Sequence, residues 1–284
     1  MKKLIAAVLL LIVPVVAAGV YLMLDIAGGC SVSADTKKDS SNIKWYTEED
    51  DPDRQDREEM TAEEIIDDYA SQHGLTIGAW PQELIDLLDR NPETEEFVLG
   101  YPYHNDADEY IDISGDIGSY NEVPEFYQWD MRWGYKTYGS NLMGLTGCGP
   151  TCLSMVAVHL LGDTSMNPAW MADYAMNNGY YDYEGMSGTC WTLMSDGATG
   201  LGLEAIEITS EEQRIIDNLE AGNPIICIMG PGVFTDEGHF IVITGYSDGK
   251  FTIHDPNSIE NTQKEWEYDE FADQILNIWT YRLP

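Results

Sequence analysis

Residues 147–152 read Gly-Cys-Gly-Pro-Thr-Cys, and an apolar pattern with helical spacing follows them up to residue 161. Proline is tolerated in a helix only near the first turn, where its missing N–H is not needed, so Pro150 places Cys148 at the N-terminal tip. Unpaired backbone N–H groups and the helix dipole then favour the thiolate. A glycine-flanked cysteine is also commonly a buried structural thiol. Its partners elsewhere in the chain decide between the two interpretations.

Two strands are predicted nearer the C-terminus. Residues 238–246 are an apolar strand that His239 opens, and residues 250–255 are a second strand that ends before a proline. The Asp-Gly pair at 248–249 is typical of a tight hairpin, so the two strands should be antiparallel neighbours. His239 and Asp255 then fall at the same end of the hairpin.

Side-chain alternation distinguishes two neighbours in the second strand. Phe251, Ile253 and Asp255 should share one face. Thr252 and His254 should share the opposite face. If Asp255 points into a site, His254 should therefore point away from it.

A thiol at a helix tip, a histidine at a strand start and a carboxylate at the neighbouring strand's end make an activated nucleophile with its base and orienter. The pattern is carried by four segments: Gln-Trp-Asp at 128–130, Gly-Cys-Gly-Pro-Thr at 147–151, Gly-His-Phe at 238–240 and Asp-Pro-Asn at 255–257. In this combination and order they closely resemble the papain-like cysteine peptidases related to bacteriocin double-glycine leader peptidases, in their stand-alone extracellular branch. The resemblance spans roughly residue 123 to the C-terminus.

The resemblance implies an α+β, papain-like fold, in which a helical part carries the cysteine and an antiparallel sheet carries the histidine and aspartate. It makes Cys148 the nucleophile and His239 the base. It also makes Asp255 the orienter of the imidazole and Gln128 the oxyanion donor. The implied reaction is hydrolysis of a peptide or protein substrate through a thioester, and this chemistry needs no metal or organic cofactor.

Other functions remain open on the same residues. A cell-wall peptide amidase or endopeptidase, or an acyl transferase, would use the same site, whereas a catalytically silent surface binding module would not need it. The presence of all four catalytic residue types favours an enzyme. A zinc site built from Cys148, Cys152, His239 and Asp255 is a further alternative, although the spacing matches no common zinc pattern.

The remaining cysteines and a nearby histidine have structural interpretations. Five cysteines, an odd and scattered set in a chain of 284 residues, do not indicate a disulfide framework, so at least one thiol should be free. Cys152 and Cys227 are predicted to be buried, and Cys190 is a candidate for the wall of the cleft. His159 lies about 16 Å along the helix from Cys148, beyond direct proton transfer.

The charge balance excludes one class of partner. Asp and Glu number 50 against 14 Lys and Arg, a formal net charge of −36. Binding of nucleic acid requires clustered cations, so nucleic acid is not expected as a partner, and anionic membrane surfaces are equally unfavourable. The charge indicates either solubility or steering of cationic substrates towards an acidic cleft.

Residues 1–30 predict export. A pair of lysines precedes the uncharged run 4–24, which is long enough to cross a bilayer, and the lysines should hold the N-terminus inside. An uncleaved signal anchor is favoured, and the alternatives are a signal peptide cleaved near residues 32–34 or a lipid on Cys30. Each route leads to an extracytoplasmic, membrane-anchored or secreted domain that meets the membrane only through this segment.

The rest of the chain divides into three parts. Residues 31–60 are rich in Asp, Glu, Ser and Lys and predict an acidic disordered tether, because they cannot bury enough apolar surface to fold. Residues 61–123 predict an N-terminal extension of short helices that packs on the main domain. Residues 124–284 are then the papain-like catalytic domain.

Local signals place the helices of the extension. Thr61 and Glu64 have the spacing of a capping box, which predicts a helix from there to about residue 72. Pro81 is expected at the first position of another helix. The Asn-Pro pair at 91–92 should end that helix.

Overall fold

The computed structural model describes residues 60–104, 110–118, 122–183 and 188–284. The predicted signal segment 1–30, with Cys30, and the tether up to residue 59 lie outside the described residues. Within the described ranges, no helix is both long enough and apolar enough to cross a bilayer.

The extension begins with helix α1, Ala62–His73. The Thr61 side chain accepts from the Glu64 N–H while the Glu64 carboxylate accepts from the Thr61 N–H, so the predicted capping box is confirmed. Helix α2 is Gln82–Arg90. The placement of Pro81 inside that helix was wrong by one residue, because its ψ of 148° is extended and makes it the N-cap.

Shorter helical turns complete the extension. Helix α3 is Glu95–Gly100, and the 3-10 turns are Ile77–Ala79, Pro92–Thr94 and Tyr101–Tyr103. Their apolar side chains form one core that also includes residues of the following segment, among them Trp129. The extension and the described chain that follows it belong to the same compact unit.

The middle of the chain surrounds the long helix α5, Cys148–Leu161. The small elements before it are β1 (Thr137–Tyr138), β2 (Asn141–Leu142) and α4 (Met143–Thr146). Those after it are α6 (Pro168–Asn177), β3 (Tyr181–Asp182), β4 (Gly188–Thr189), a π-helical turn (Leu193–Gly197) and α7 (Ala198–Gly200).

The C-terminal part is a six-stranded antiparallel sheet, and its strands are β5 (Glu204–Glu207), β6 (Ile225–Met229), β7 (His239–Ser247), β8 (Lys250–His254), β9 (Glu265–Trp266) and β10 (Ile275–Arg282). The strand order in the sheet is β5-β10-β6-β7-β8-β9. Its helices are α8, Glu212–Glu220, and α9, Ile259–Gln263, with 3-10 turns at Tyr268–Glu270 and Ala272–Gln274.

The predicted hairpin joins β7 and β8. Ser247 pairs with Lys250, and the two turn residues Asp248 and Gly249 have φ angles of 52° and 84°. Positive φ at both central residues is the geometry that the Asp-Gly pair favours, because the twist of such a turn matches that of the strands. The antiparallel hairpin is therefore confirmed.

The sheet separates two cores. Phe240 and Val242 face the core that contains α5, whereas Ile241 and Ile243 face the core that contains α8. Strand β6 lies between β7 and β10 and is buried along its whole length. This burial confirms that Cys227 belongs to a central strand.

Candidate active site

Cys148 is the first residue of α5, and Pro150 lies in the first turn, as predicted. The thiol is half-buried. Thr189 of β4 packs against the start of this helix so closely that a Cβ on Gly149 would lie 2.5 Å from Thr189 Oγ1. Glycine at 149 therefore lets β4 and the helix tip approach each other.

His239 opens β7, and Asp255 follows the last residue of β8. His239 Nε2 lies 2.6 Å from Asp255 Oδ1, and both side chains are buried. Because an ionised carboxylate only accepts, Nε2 carries the proton of this bond. Nδ1 is left to face Cys148, whose thiol interacts with the imidazole. The structure thus brings all three predicted side chains together.

Asp255 is held by residues on both sides of its carboxylate. The Asn257 N–H donates to Oδ1 at 2.8 Å, and Asn261 Nδ2 donates to Oδ2 at 2.8 Å. The Asp255 N–H donates to Thr262 Oγ1 at 3.0 Å. The sequence reasoning missed Asn261 and Thr262. The bond from Asn257 is the usual side-chain turn of an Asp two residues earlier, for which Asp-Pro-Asn is a recognisable signal.

The electrostatics of the site favour an ion pair. Burial by itself raises the pKa of the Cys148 thiol, but the hydrogen bond to His239, the imidazolium charge and the backbone of Phe240 and Gly149 together lower that pKa below its ordinary value. Burial opposes the charged imidazole, yet the charge and hydrogen bond of Asp255, with Cys148, raise the pKa of His239 to about 10. Thiolate and imidazolium therefore stabilise each other.

Gln128 lies between the two halves of the site. Its N–H donates to the Pro256 carbonyl at 2.7 Å, next to Asp255, and its Nε2 donates to the Gly144 carbonyl at 2.9 Å in α4, just before the helix tip. A carbonyl only accepts, so Gly144 fixes which end of the amide faces it. Oε1 of the buried Gln128 has no hydrogen-bond partner among the described residues.

The other histidines near these elements are directed elsewhere. His254 is buried with Nδ1 3.2 Å from the Pro124 carbonyl, and burial chiefly lowers its pKa. The prediction that His254 points away from the Asp255 side is confirmed. His159 donates from Nδ1 to the Glu122 carbonyl at 3.2 Å.

The remaining described thiols differ from Cys148. Burial raises the pKa of Cys152 well above its ordinary value, with the charges of Cys148 and Asp255 adding to it, and burial also raises the pKa of Cys227. Cys190 is half-buried, and burial raises its pKa as well. In the described part of the chain, no group of three or more His, Cys, Asp and Glu side chains is arranged to hold a metal ion.

A helix that presents a thiol to a histidine and an aspartate on an antiparallel sheet defines a cysteine peptidase-like domain of papain-like fold. Residues 120–282, more than half of the chain, match the family model described as Peptidase_C39 like family. The chain belongs to this family, which confirms both the resemblance and the fold class that the motifs predicted.

Solved structures give two similar proteins. The peptidase domain of Streptococcus ComA, a bifunctional ABC transporter involved in quorum sensing, is 20% identical, with 49% of this chain and 92% of that chain covered and a TM-score of 0.38. A C39-like peptidase from Bacillus anthracis is 15% identical, with 58% of this chain and 96% of that chain covered and a TM-score of 0.40. A search of curated proteins finds no match.

Proposed function

We propose that this protein is an extracytoplasmic cysteine peptidase that hydrolyses peptide bonds through a thioester on Cys148. The observation that carries the proposal is the arrangement in which His239 interacts with the Cys148 thiol at the helix tip and bonds to the Asp255 carboxylate at 2.6 Å. It supplies a nucleophile, a proton carrier and an orienter in one buried arrangement. Membership of a peptidase-like family supports the same reaction class.

Acylation uses the ion pair directly. The Cys148 thiolate attacks the peptide carbonyl carbon, a C–S bond forms, and the carbonyl π electrons move to oxygen. That oxyanion accepts from the Cys148 backbone N–H, which has no helical partner at the helix start, and from the second N–H of Gln128 Nε2. The C–N bond then breaks as the His239 imidazolium gives its Nδ1 proton to the leaving amine.

Deacylation returns the site to its starting state. Neutral His239 takes a proton from water as the water oxygen attacks the thioester carbonyl, and the C–S bond breaks to release a carboxylic acid and the thiolate. Throughout both steps Asp255 accepts from Nε2–H and keeps Nδ1 directed at the reacting atoms.

Cleavage-site profiling tests this function. The purified protein, incubated with a proteome digest, should generate new peptide termini that a Cys148→Ala control does not generate. Purified wall peptides and an added amine acceptor form parallel arms. Reaction confined to wall amide bonds, or products formed only with the amine, would replace hydrolysis of protein substrates by one of the related acyl-transfer functions.

The extracytoplasmic location rests on the lysine pair and apolar run within residues 1–30 and on the acidic composition of residues 31–60. Protease added to intact cells should release or degrade the domain. Complete protection, in cells whose other surface proteins are digested, would contradict this location.

A further inference from the structure

We propose that Glu93, in the N-terminal extension, is a positioning residue for the active site. Its carboxylate holds the short helix α9, and α9 in turn holds Asp255. The extension is then a functional part of the catalytic unit and not only a spacer between tether and domain. This inference rests on the proposed function, because it concerns the same thiolate–imidazolium pair.

The Glu93 carboxylate binds the start of α9 with both oxygens. Oε2 accepts from the Ile259 N–H at 2.8 Å, and Oε1 accepts from the Glu260 N–H at 2.8 Å. Beside it, Asn91 Nδ2 donates to the Asn257 carbonyl at 2.5 Å. Hydrogen bonds to an ionised acceptor are stronger than neutral ones, and two of them fix direction as well as distance.

Helix α9 connects this contact to the catalytic carboxylate. It has five residues, far fewer than a helix needs to be stable by itself, so its position depends on what it is bound to. Asn261 and Thr262 lie directly after the two N–H groups that Glu93 binds. These are the two residues that hold the Asp255 side chain and its backbone N–H. Displacement of α9 therefore moves Asp255.

The same extension also supports the other side of the site. Phe97 of α3 packs directly beneath Gly144, where a Cβ would lie 2.4 Å from Phe97 Cζ. The Gly144 carbonyl is the one that orients Gln128. Glu93 and Phe97 both precede the 120–282 segment matched by the family model, so the contacts they make with the site are features of this chain beyond that match.

The test compares two variants of Glu93 with a matched charge control. Glu93→Gln keeps the size but loses one acceptor oxygen and the charge, and Glu93→Asp keeps both acceptors and the charge. Glu83→Gln makes the same chemical change at an exposed position of α2 in the same extension. Thermal unfolding first establishes that each variant is folded.

The decisive readout is the pH dependence of Cys148 alkylation by iodoacetamide, which requires no peptide substrate. In Glu93→Gln a less ordered Asp255 stabilises the imidazolium less, so the thiol should ionise about half a pH unit higher. Loss of a nearby negative charge alone would shift thiol ionisation in the opposite direction. Glu93→Asp keeps the charge and both acceptors on a side chain one methylene shorter, so it should shift the profile less than Glu93→Gln does. Glu83→Gln should keep the native profile.

Turnover supplies the second readout. Glu93→Gln should lower kcat roughly tenfold with KM nearly unchanged, since a small misplacement of a catalytic group affects the reaction more than binding. Combination with Asn261→Ala should give less than the product of the two single effects, because both act through Asp255.

Several outcomes would overturn the proposal: an alkylation profile of Glu93→Gln equal to that of Glu83→Gln, a downward shift in thiol ionisation, or fully multiplicative effects in the double variant. If Glu93→Gln does not fold, Asn91→Ala removes the adjacent bond and should shift the profile upward too, and a native profile there would equally contradict it. Wild-type protein without peptidase activity would refute the proposed function instead and leave the alkylation test intact.

Discussion

Cys148 and Cys152 lie one turn apart on the same helix, and their thiol pKa values are shifted in opposite directions. The first is half-buried at the helix tip, and its interaction with His239 lowers its pKa although burial opposes this. The second is fully buried in the core, and burial raises its pKa well above the ordinary value. Reactivity at this helix therefore depends on position relative to the sheet and not on residue type.

The two histidines beside Asp255 repeat the comparison on the sheet. His239 donates to the Asp255 carboxylate and has a raised pKa, whereas His254 donates to the neutral Pro124 carbonyl and has a pKa lowered chiefly by burial. The buried Asp255 carboxylate, 2.6 Å from His239, compensates the desolvation of the imidazolium. The carboxylate near His254 is that of the exposed Glu125, 3.9 Å from Nε2, and it compensates less than burial costs. Each pair of like residues thus contains one member suited to catalysis.

The largest expected effect separates the two cysteines. Cys148→Ala should lower peptide hydrolysis by roughly 10⁴-fold or more, because nucleophile and base act as a unit. Cys152→Ala should leave kcat nearly unchanged and reduce thermal stability instead, since it opens a small cavity in the core. Rate assays with thermal unfolding check both, and equal losses of kcat in two folded variants would break the comparison.

The histidine pair should differ nearly as much. His239→Ala should lower kcat by roughly 10³-fold because it removes both the proton carrier and the partner of the thiolate. His254→Ala should retain most of the activity and lose stability, since it leaves the buried Pro124 carbonyl without a donor. The reverse order of rates, measured on folded proteins, would refute the role given to His239.

Gln128→Ala should have an intermediate effect of a different kind. It should lower acyl transfer by roughly 10²-fold, because an oxyanion donor stabilises the transition state. Alkylation of Cys148 should be nearly unchanged, since the resting thiolate does not use that donor. Parallel measurement of peptide hydrolysis and iodoacetamide labelling distinguishes loss of the oxyanion donor from loss of thiolate reactivity. A matching decrease in labelling would instead indicate that Gln128 supports the thiolate.

The smallest expected effect is the pH dependence of peptide hydrolysis by the wild-type protein. Hydrolysis should rise as the Cys148 thiol loses its proton, below the usual thiol range of about 8.5. It should fall only as pH increases through the His239 pKa of about 10, where the leaving amine loses its proton donor.

At mildly acidic pH, limiting iodoacetamide should label Cys148 before Cys152 or Cys190, and equal labelling in the folded protein would contradict thiol activation.

Local signals predicted the elements that carry the site. Pro150 placed the helix tip, the Asp-Gly pair set the hairpin, and alternation distinguished Asp255 from His254. These inferences succeeded because each depends on backbone geometry within a few residues. The one-residue error at Pro81 has the same origin, since both the N-cap and the first helical position accommodate the φ of proline.

The sequence by itself determined the family and the α+β class, and it predicted a thiol, an imidazole and a carboxylate that the structure brings together, because all of these follow from short motifs in a fixed order. Only the tertiary structure placed Asn261 and Thr262 around Asp255 and brought Glu93 to α9. The bond between Glu93 and Ile259 joins residues 166 positions apart. No local pattern encodes such a contact, because it exists only after the extension and the sheet have packed against each other.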